Sequence, residues 1–434
     1  MAEKIKIKKP LREKGKTDSE KSQMLAEEKT AVSDSRLIPE VNIGTTGHVD
    51  HGKTTLTQAL TGKWADTHSE EKKRGITIKL GYADTTFYKC KKCEAYSSKN
   101  KCINCFEECE PIRTVSFVDA PGHETLMATV LSGASIMDGA LLVISATETC
   151  PQPQTREHLK ALDISEIKQI VVVQNKVDAV SKEVAMKNYQ QIKDFLKGTV
   201  AENAPIVPIS AKHGINVDIL IQTIEETIKT PKRDPNKPPK MLVARSFDIN
   251  KPAQLIEKLS GGILGGSLIQ GEISVGDEIE IRPGIKIKDK YQIIKTKVVG
   301  LQKASKSLDK AGPGGLLGVS TLLDPYLTKA DSLAGCVLGH ADKLPPVLEK
   351  ITLKVNLLER VIGSKEELKV DPIKLGEPLM LNVGTTKTVG VVSSVGKKIV
   401  IDLKIPICAD LGDRLAISRQ VLGRWRLVGW GQIS

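Results

Sequence analysis

Between residues 41 and 229, short runs of Val, Ile and Leu alternate with stretches whose apolar residues recur every three or four positions. The runs at 41–46, 115–119, 140–145, 169–174 and 206–210 predict strands. The stretches at 124–133, 154–162, 184–197 and 216–229 predict amphipathic helices, because that spacing gathers apolar side chains on one face. Strand and helix in alternation predict an α/β domain on a mostly parallel sheet flanked by helices. Ligand loops are then expected at the carboxyl ends of its strands.

Past this region the texture changes. "TPKRDPNKPPK" (230–240) sets four prolines among charges and can continue neither helix nor sheet, so it reads as an extended linker. Beyond it, β-rich runs punctuated by glycine lie at 242–248, 271–273, 278–281, 296–301 and 337–338. "SVGDEIEIRPG" reads there as a turn, an alternating strand and a second turn. After a further break, "KLPPV" (343–347), similar runs lie at 351–358, 379–383, 387–394 and 399–403. Short strands at regular spacing predict all-β barrels or sandwiches. The expected layout is a basic tail over 1–38, an α/β domain over 39–230, a linker over 231–240, and two all-β domains over 241–344 and 345–434.

Composition narrows the classes. Aromatic residues make up 3% of the chain, so the cores rest on Val, Ile and Leu, and a net charge of +12 points to an anionic partner. No apolar stretch approaches the ~18 residues of a membrane span, and "MAEKIKIKKPLREKGK" lacks the apolar centre of a secretory signal. The expectation is a cytoplasmic protein with no membrane partner. The Lys- and Ser-rich tail reads as a solvated extension, or as a contact for RNA.

The chemistry begins at "GHVDHGKTTL" (47–56), which fits G-x-x-x-x-G-K-[ST] between a strand and a helix. Its glycines let backbone N–H groups curl around phosphate oxygens at a helix N-terminus. Asp50, His51, Gly52, Lys53, Thr54 and Thr55 are expected to line the phosphates, with Lys53 at the β- and γ-phosphates and the Thr54 hydroxyl on Mg²⁺. "NKVD" (175–178) and "SAK" (210–212) follow the next strands. A carboxylate at Asp178 accepts from both N1–H and the exocyclic amine of guanine, a donor pair that adenine lacks. Asn175, Lys176 and Val177, with Ser210, Ala211 and Lys212, complete the expected guanine pocket. "DAPGH" (119–123) places Asp119 to hold Mg²⁺ through water, Gly122 to sense the γ-phosphate, and His123 to orient the attacking water. In "KRGITI" (73–78), Thr77 is expected to close over the magnesium when GTP is present.

"CKKCEAYSSKNKCINC", within an insert at 88–110, pairs Cys90 with Cys93 and Cys102 with Cys105 as two halves of a tetrahedral Zn²⁺ site. The same thiolate cage admits iron. Cys109 is either spare or a substitute ligand. Cys150, Cys336 and Cys408 read as buried small apolar residues.

With GHVDHGKT, RGITI, DAPGH, NKVD and SAK in that order, the chain resembles the translational GTPases. Within them it is similar to the gamma subunits of archaeal and eukaryotic translation initiation factor two, through "HSEEKKRGITIKLGYA", the cysteine insert, "PQPQTREHL" and "ISRQVLGRWRLVGWG". The lack of long insertions favours the archaeal branch. The resemblance implies a GTP-binding domain followed by two β-barrels, and GTP hydrolysis that is slow without the ribosome and an activating factor. It implies binding of initiator methionyl-tRNA and delivery to the small ribosomal subunit, in a heterotrimer with alpha and beta subunits. It also implies Thr54 and Thr77 as ligands of the principal Mg²⁺, and Asp50 with the Gly75 carbonyl as ligands of a second. Two other readings compete: an elongation-type carrier of another aminoacyl-tRNA, and a scaffold that GTP merely stabilises. Within "GRWRLVGWG", Arg424, Trp425, Arg426 and Trp430 either contact RNA or fill a barrel seam.

Overall fold

The structure, a computed structural model, describes the chain apart from residues 1–33, 64–78, 124–125, 252–253, 256, 258, 363–367 and 422. In the first body, strands β1 (Asn42–Gly47), β2 (Gly81–Cys90), β3 (Tyr96–Ser97), β4 (Cys109–Asp119), β5 (Gly139–Ser145), β6 (Ile170–Asn175) and β7 (Ile206–Pro208) form one sheet in the order β3-β2-β4-β1-β5-β6-β7. Helices α1 (Lys53–Thr61), α2 (Met127–Ala134), α3 (Pro153–Ile164), α4 (Lys182–Leu196) and α5 (Val217–Thr227) cover its faces.

The centre is parallel because each strand returns through a helix: β4, β1, β5, β6 and β7 pair in parallel. Every residue of β1, β5 and β6 is buried, as strands covered on both faces must be. Two hydrophobic clusters fill the two faces, one around Val118, Leu142 and Val172 and the other around Leu56, Phe117 and Val173. The apolar-run reading omitted β2, which pairs antiparallel with β4 and makes the sheet mixed. Its sequence, GYADTTFYKC, buries alternate residues and lacks a Val-Ile-Leu run.

The second body comprises β8 (Lys240–Phe247), β9 (Ile263–Gln270), β10 (Ile273–Ser274), β11 (Glu278–Ile287), β12 (Lys290–Lys303), β13 (Lys306–Leu308), β14 (Lys310–Ala311), β15 (Leu317–Thr321) and β16 (Val337–His340). The order β11-β16-β8-β9-β15-β12 closes on itself through the β11–β12 pairing, which makes a six-stranded barrel. The expected turn at "RPG" is instead a register shift inside β11, between Ile281 and Ile285. A bulge absorbs the proline without ending the strand. The third body is a second closed barrel, β17-β20-β19-β18-β21-β22, of β17 (Val347–Leu357), β18 (Pro378–Val383), β19 (Thr386–Ser394), β20 (Ile399–Cys408), β21 (Arg414–Val421) and β22 (Arg424–Ile433). Strand β9 escaped the apolar-run reading because two glycines interrupt it, and β21 because Arg and Ser dilute it.

Polar contacts lock the three bodies together. The linker is pinned, not free: Arg233 pairs with the buried Asp138 carboxylate and donates to the Glu40 carbonyl at 3.1 Å. Asn42 of β1 donates to Ser267 of the first barrel at 3.0 Å, and Asn382 of the second barrel donates to the Ala128 carbonyl at 2.9 Å. Near the start, Ser35–Leu37 form a 3₁₀ turn, and Thr114 of β4 donates to the Arg36 carbonyl at 2.9 Å. The expected tail therefore docks on the sheet over its last residues, while residues 1–33 lie outside the described ones. Among the described residues, no helix is long and apolar enough to cross a membrane.

Candidate functional site

The carboxyl ends of β1, β4, β6 and β7 converge on one edge of the sheet. There, β1 ends at Gly47 and the chain turns through Asp50 into α1, whose N-cap Gly52 takes the left-handed conformation at φ +89°. A Cβ on Gly52 would stand 2.4 Å from Asn175 Nδ2, so both the conformation and the close approach require glycine. Asn175 holds three loops together. Its Nδ2 donates to the His51 carbonyl at 2.9 Å, and its Oδ1 accepts from the Ala211 N–H at 3.0 Å.

Lys53 is buried and donates to the His48 carbonyl at 2.6 Å, which curls the loop over its own ammonium. A Cβ on Gly122 would lie 2.4 Å from that ammonium and 3.0 Å from the Val49 nitrogen. The "DAPG" turn thus rests directly on the phosphate loop. Asp119, fully buried at the end of β4, accepts from Thr54 at 2.7 Å and from Thr45 at 2.6 Å. This hydroxyl-carboxylate set is of the hard oxygen kind that suits Mg²⁺. Thr55 follows in the first turn of α1, where backbone N–H groups have no partner in the helix.

At the base end, Lys176 stands in the left-handed region at φ 64° and Val177 opens a 3₁₀ turn that carries Asp178. The Ser210 hydroxyl donates to the Asp178 carboxylate and lowers its pKa, so this acceptor is ionised. Lys212 is exposed beside it. His123 is half-buried, and its carbonyl accepts from the Leu126 N–H at 2.9 Å, which starts the turn into α2. The calls on Thr77 and Gly75 lie outside the described residues.

Sequence reasoning missed the groups beneath the loop. His158 of α3 is fully buried, and its Nδ1 accepts the Gly47 N–H at 2.8 Å. Burial lowers its pKa to about 3, so the ring is neutral. The His51 ring also turns inward, with Nδ1 on the Val143 carbonyl at 3.1 Å, and burial lowers its pKa to about 4. Next to His158, Glu157 forms a buried ion pair with Arg426 of β22 at 2.8 Å. Arg426 therefore faces α3 and not RNA. Trp430 packs in the same seam with the Arg414 guanidinium 4.2 Å above its ring. His51, Arg426 and Trp430 stand in stretches the sequence singles out, but only proximity in space brings them to His158 and Glu157, which no motif carries.

The cysteine insert joins β2 to β4 at the sheet edge, with Cys90 opposite Cys109 in register. The Sγ atoms of Cys90, Cys93, Cys102 and Cys105 all lie within 4.8 Å of one another, with separations of 3.4, 3.2 and 3.8 Å among them. Tetrahedral zinc with Zn–S bonds of about 2.3 Å sets sulfurs about 3.8 Å apart, so the cage fits. Backbone N–H groups of Cys93 and Lys92 lower the pKa of Cys90, and those of Cys105 and Asn104 lower that of Cys102. Each knuckle thus favours a thiolate at its first cysteine. Cys109 stands outside the four-sulfur group, and burial raises its pKa to about 11. It is spare. Cys336 and Cys408 are buried as expected, whereas Cys150 is half-exposed.

Comparison with known proteins distinguishes branches that share this architecture. Residues 39–230 match the family described as Elongation factor Tu GTP binding domain, and residues 349–433 match Initiation factor eIF2 gamma, C terminal. The translation initiation factor 2 subunit gamma of Pyrococcus horikoshii is 60% identical over 400 residues, covering 91% of this chain and 97% of the relative. That of Methanothermobacter thermautotrophicus is 61% identical over 403 residues, covering 91% and 99%. Among solved structures, the elongation factor SelB of Methanococcus maripaludis, complexed with the GTP analogue GppNHp, gives a TM-score of 0.67. It is 26% identical over 92% of this chain and 79% of that one. A bacterial selenocysteine-specific elongation factor gives a TM-score of 0.70 at 24% identity, but this chain spans only 58% of its length. The elongation factors share the fold, while the gamma subunits share three residues in five along nearly the whole chain. The chain accordingly belongs to the gamma-subunit family of translation initiation factor 2, GTP-binding GTPases that form one part of a multi-subunit initiation factor.

Proposed function

We propose that this subunit binds initiator methionyl-tRNA in its GTP state, delivers it to the small ribosomal subunit and releases it on hydrolysis. In this reading it works as the core of a heterotrimer with alpha and beta subunits in the cytoplasm. The observation that carries the reading is 60% identity to gamma subunits across 91% of the chain.

In the proposed site, Lys53 and the amides of Asp50, His51, Gly52, Thr54 and Thr55 hold the phosphates. Asp178, Asn175, Lys176, Val177 and the Ser210–Ala211–Lys212 loop take guanine. Thr54 and Thr77 would ligate Mg²⁺, with Asp119 holding it through water, and Asp50 with the Gly75 carbonyl would hold a second ion. Bound Mg²⁺ supplies neutralisation of charge on the transferred phosphoryl group. Gly122 offers its amide to the γ-phosphate from a position against the Lys53 ammonium, and His123 orients the attacking water. No residue forms a covalent bond, so catalysis is positioning and electrostatics. Turnover is slow until the ribosome and an activating factor complete the site. The four-cysteine knuckle holds structural zinc, since four thiolates leave no open coordination position.

The test is filter binding of charged initiator and elongator methionyl-tRNA with GTP or GDP, with and without the alpha subunit. GTP-dependent preference for the initiator supports the reading. Equal binding of both tRNAs favours an elongation-type carrier, and no binding in any arm favours a scaffold.

A further inference from the structure

Two adjacent residues of α3 reach different bodies of the molecule. His158 accepts the Gly47 N–H at 2.8 Å, on the first glycine of the phosphate loop. Glu157 holds Arg426 of the second barrel at 2.8 Å, with side-chain exposures of 1% and 10%. Both side chains are cut off from water, so neither contact can be exchanged for a hydrated one. A shift of α3 therefore disturbs the loop and the barrel seat together.

We propose that α3 couples nucleotide binding to the seating of the second barrel, with His158 as a positioning residue for the phosphate loop and Glu157–Arg426 as the barrel's end of the link. The proposal rests on nucleotide occupying the phosphate loop. Gly47 ends a fully buried strand, and its N–H faces away from solvent into His158. Without that acceptor the N–H is orphaned, and the loop must move to satisfy it. Packed interiors pass such displacements on because they deform little. By linkage, whatever loosens Arg426 from Glu157 must then loosen nucleotide, although Arg426 belongs to the second barrel. The Glu157 Oε2 atom has no hydrogen-bond partner, so Oε1 alone carries the hydrogen bond to Arg426.

The experiment measures dissociation of a fluorescent GDP analogue from the full chain by stopped flow, alongside thermal melting. His158→Leu removes the acceptor and is expected to speed release about tenfold, within the usual range of couplings. His158→Asn puts an amide oxygen near the place of Nδ1 and is expected to restore slow release. Arg426→Met is expected to speed release as well, and to add little in the His158→Leu background. Glu157→Met/Arg426→Met, which refills the seat with apolar side chains, keeps the test sound should the single variant fold poorly. It is expected to restore slow release. Multiplicative effects of Arg426→Met and His158→Leu, or a folded Arg426→Met that releases GDP at the parental rate, overturn the coupling. Failure of the chain to bind any guanine nucleotide would instead overturn the reading of the loop.

Discussion

The nucleotide loops take their polar groups from short consecutive stretches, whereas the seam between α3 and the second barrel takes single residues from distant ones. At the loops, Gly52, Lys53 and Thr54 are neighbours in sequence, and four strand ends bring the remaining motifs to them. At the seam, Glu157 meets Arg426 across 269 positions. At the loops Asp178 is exposed and ionised, although Lys53 and Asp119 are buried there. Charges at the seam are sealed in pairs. An exposed group such as Asp178 costs little stability when changed. A sealed pair holds the bodies together, and its disruption is felt by the fold before the ligand.

The contrast is sharpest at Asp178. Asp178→Asn is expected to weaken guanine nucleotides on the order of 10⁴-fold, because the base loses an acceptor for its donor pair. Melting of the nucleotide-free chain should stay within about 0.5 kcal/mol of the parent, as for other exposed substitutions. Calorimetric titration with GDP and inosine diphosphate checks this, since the inosine base lacks the exocyclic amine and should lose less. A large drop in melting stability would erase the distinction between the two regions.

At the seam the order reverses. Arg426→Met leaves Glu157 buried and uncompensated and should cost about 3–5 kcal/mol, while Glu157→Met/Arg426→Met should come close to the parent. Denaturant unfolding of the three proteins measures both. A neutral single variant would place this pair with ordinary surface ion pairs.

The histidines beneath the loop give a smaller, pH-dependent effect. His158 and His51 are held neutral by burial, with pKa values lowered from 6.5 to about 3 and about 4. Below pH 6.5 the unfolded chain takes up protons that the folded chain refuses, so stability falls as pH drops from 6.5 towards 4. Each such histidine contributes a slope approaching about 1.4 kcal/mol per pH unit. His158→Asn should remove one histidine's share of that slope in urea unfolding carried out across the same window. An unchanged slope would mean that the ring is protonated in the folded state.

The smallest effect is expected at Cys109. Cys109→Ser should leave the zinc content measured by atomic emission unchanged, whereas Cys102→Ser should lower it. Loss of metal from both would make Cys109 a ligand.

The motifs were legible because backbone geometry imposes them. A phosphate loop needs glycine where a Cβ would strike Asn175, and a knuckle needs two residues between its cysteines so that backbone N–H groups reach the first sulfur. Central strands such as β5 were legible because burial on both faces demands an uninterrupted apolar run. Strand β2, the glycine-broken β9 and the continuation of β11 past its proline were not, since pairing partners and a bulge sustain them more than their own composition does.

From sequence alone came the order of the domains, the loops proposed to hold a guanine nucleotide and the four cysteines of one cage, each determined by residues close together in the chain. Tertiary structure alone decided that Cys109 stands outside the four-sulfur group, that Arg426 faces Glu157, and that His158 supports Gly47. A buried polar group takes whatever partner the packing brings within hydrogen-bonding distance, and the spacing of residues along a chain carries no record of that partner.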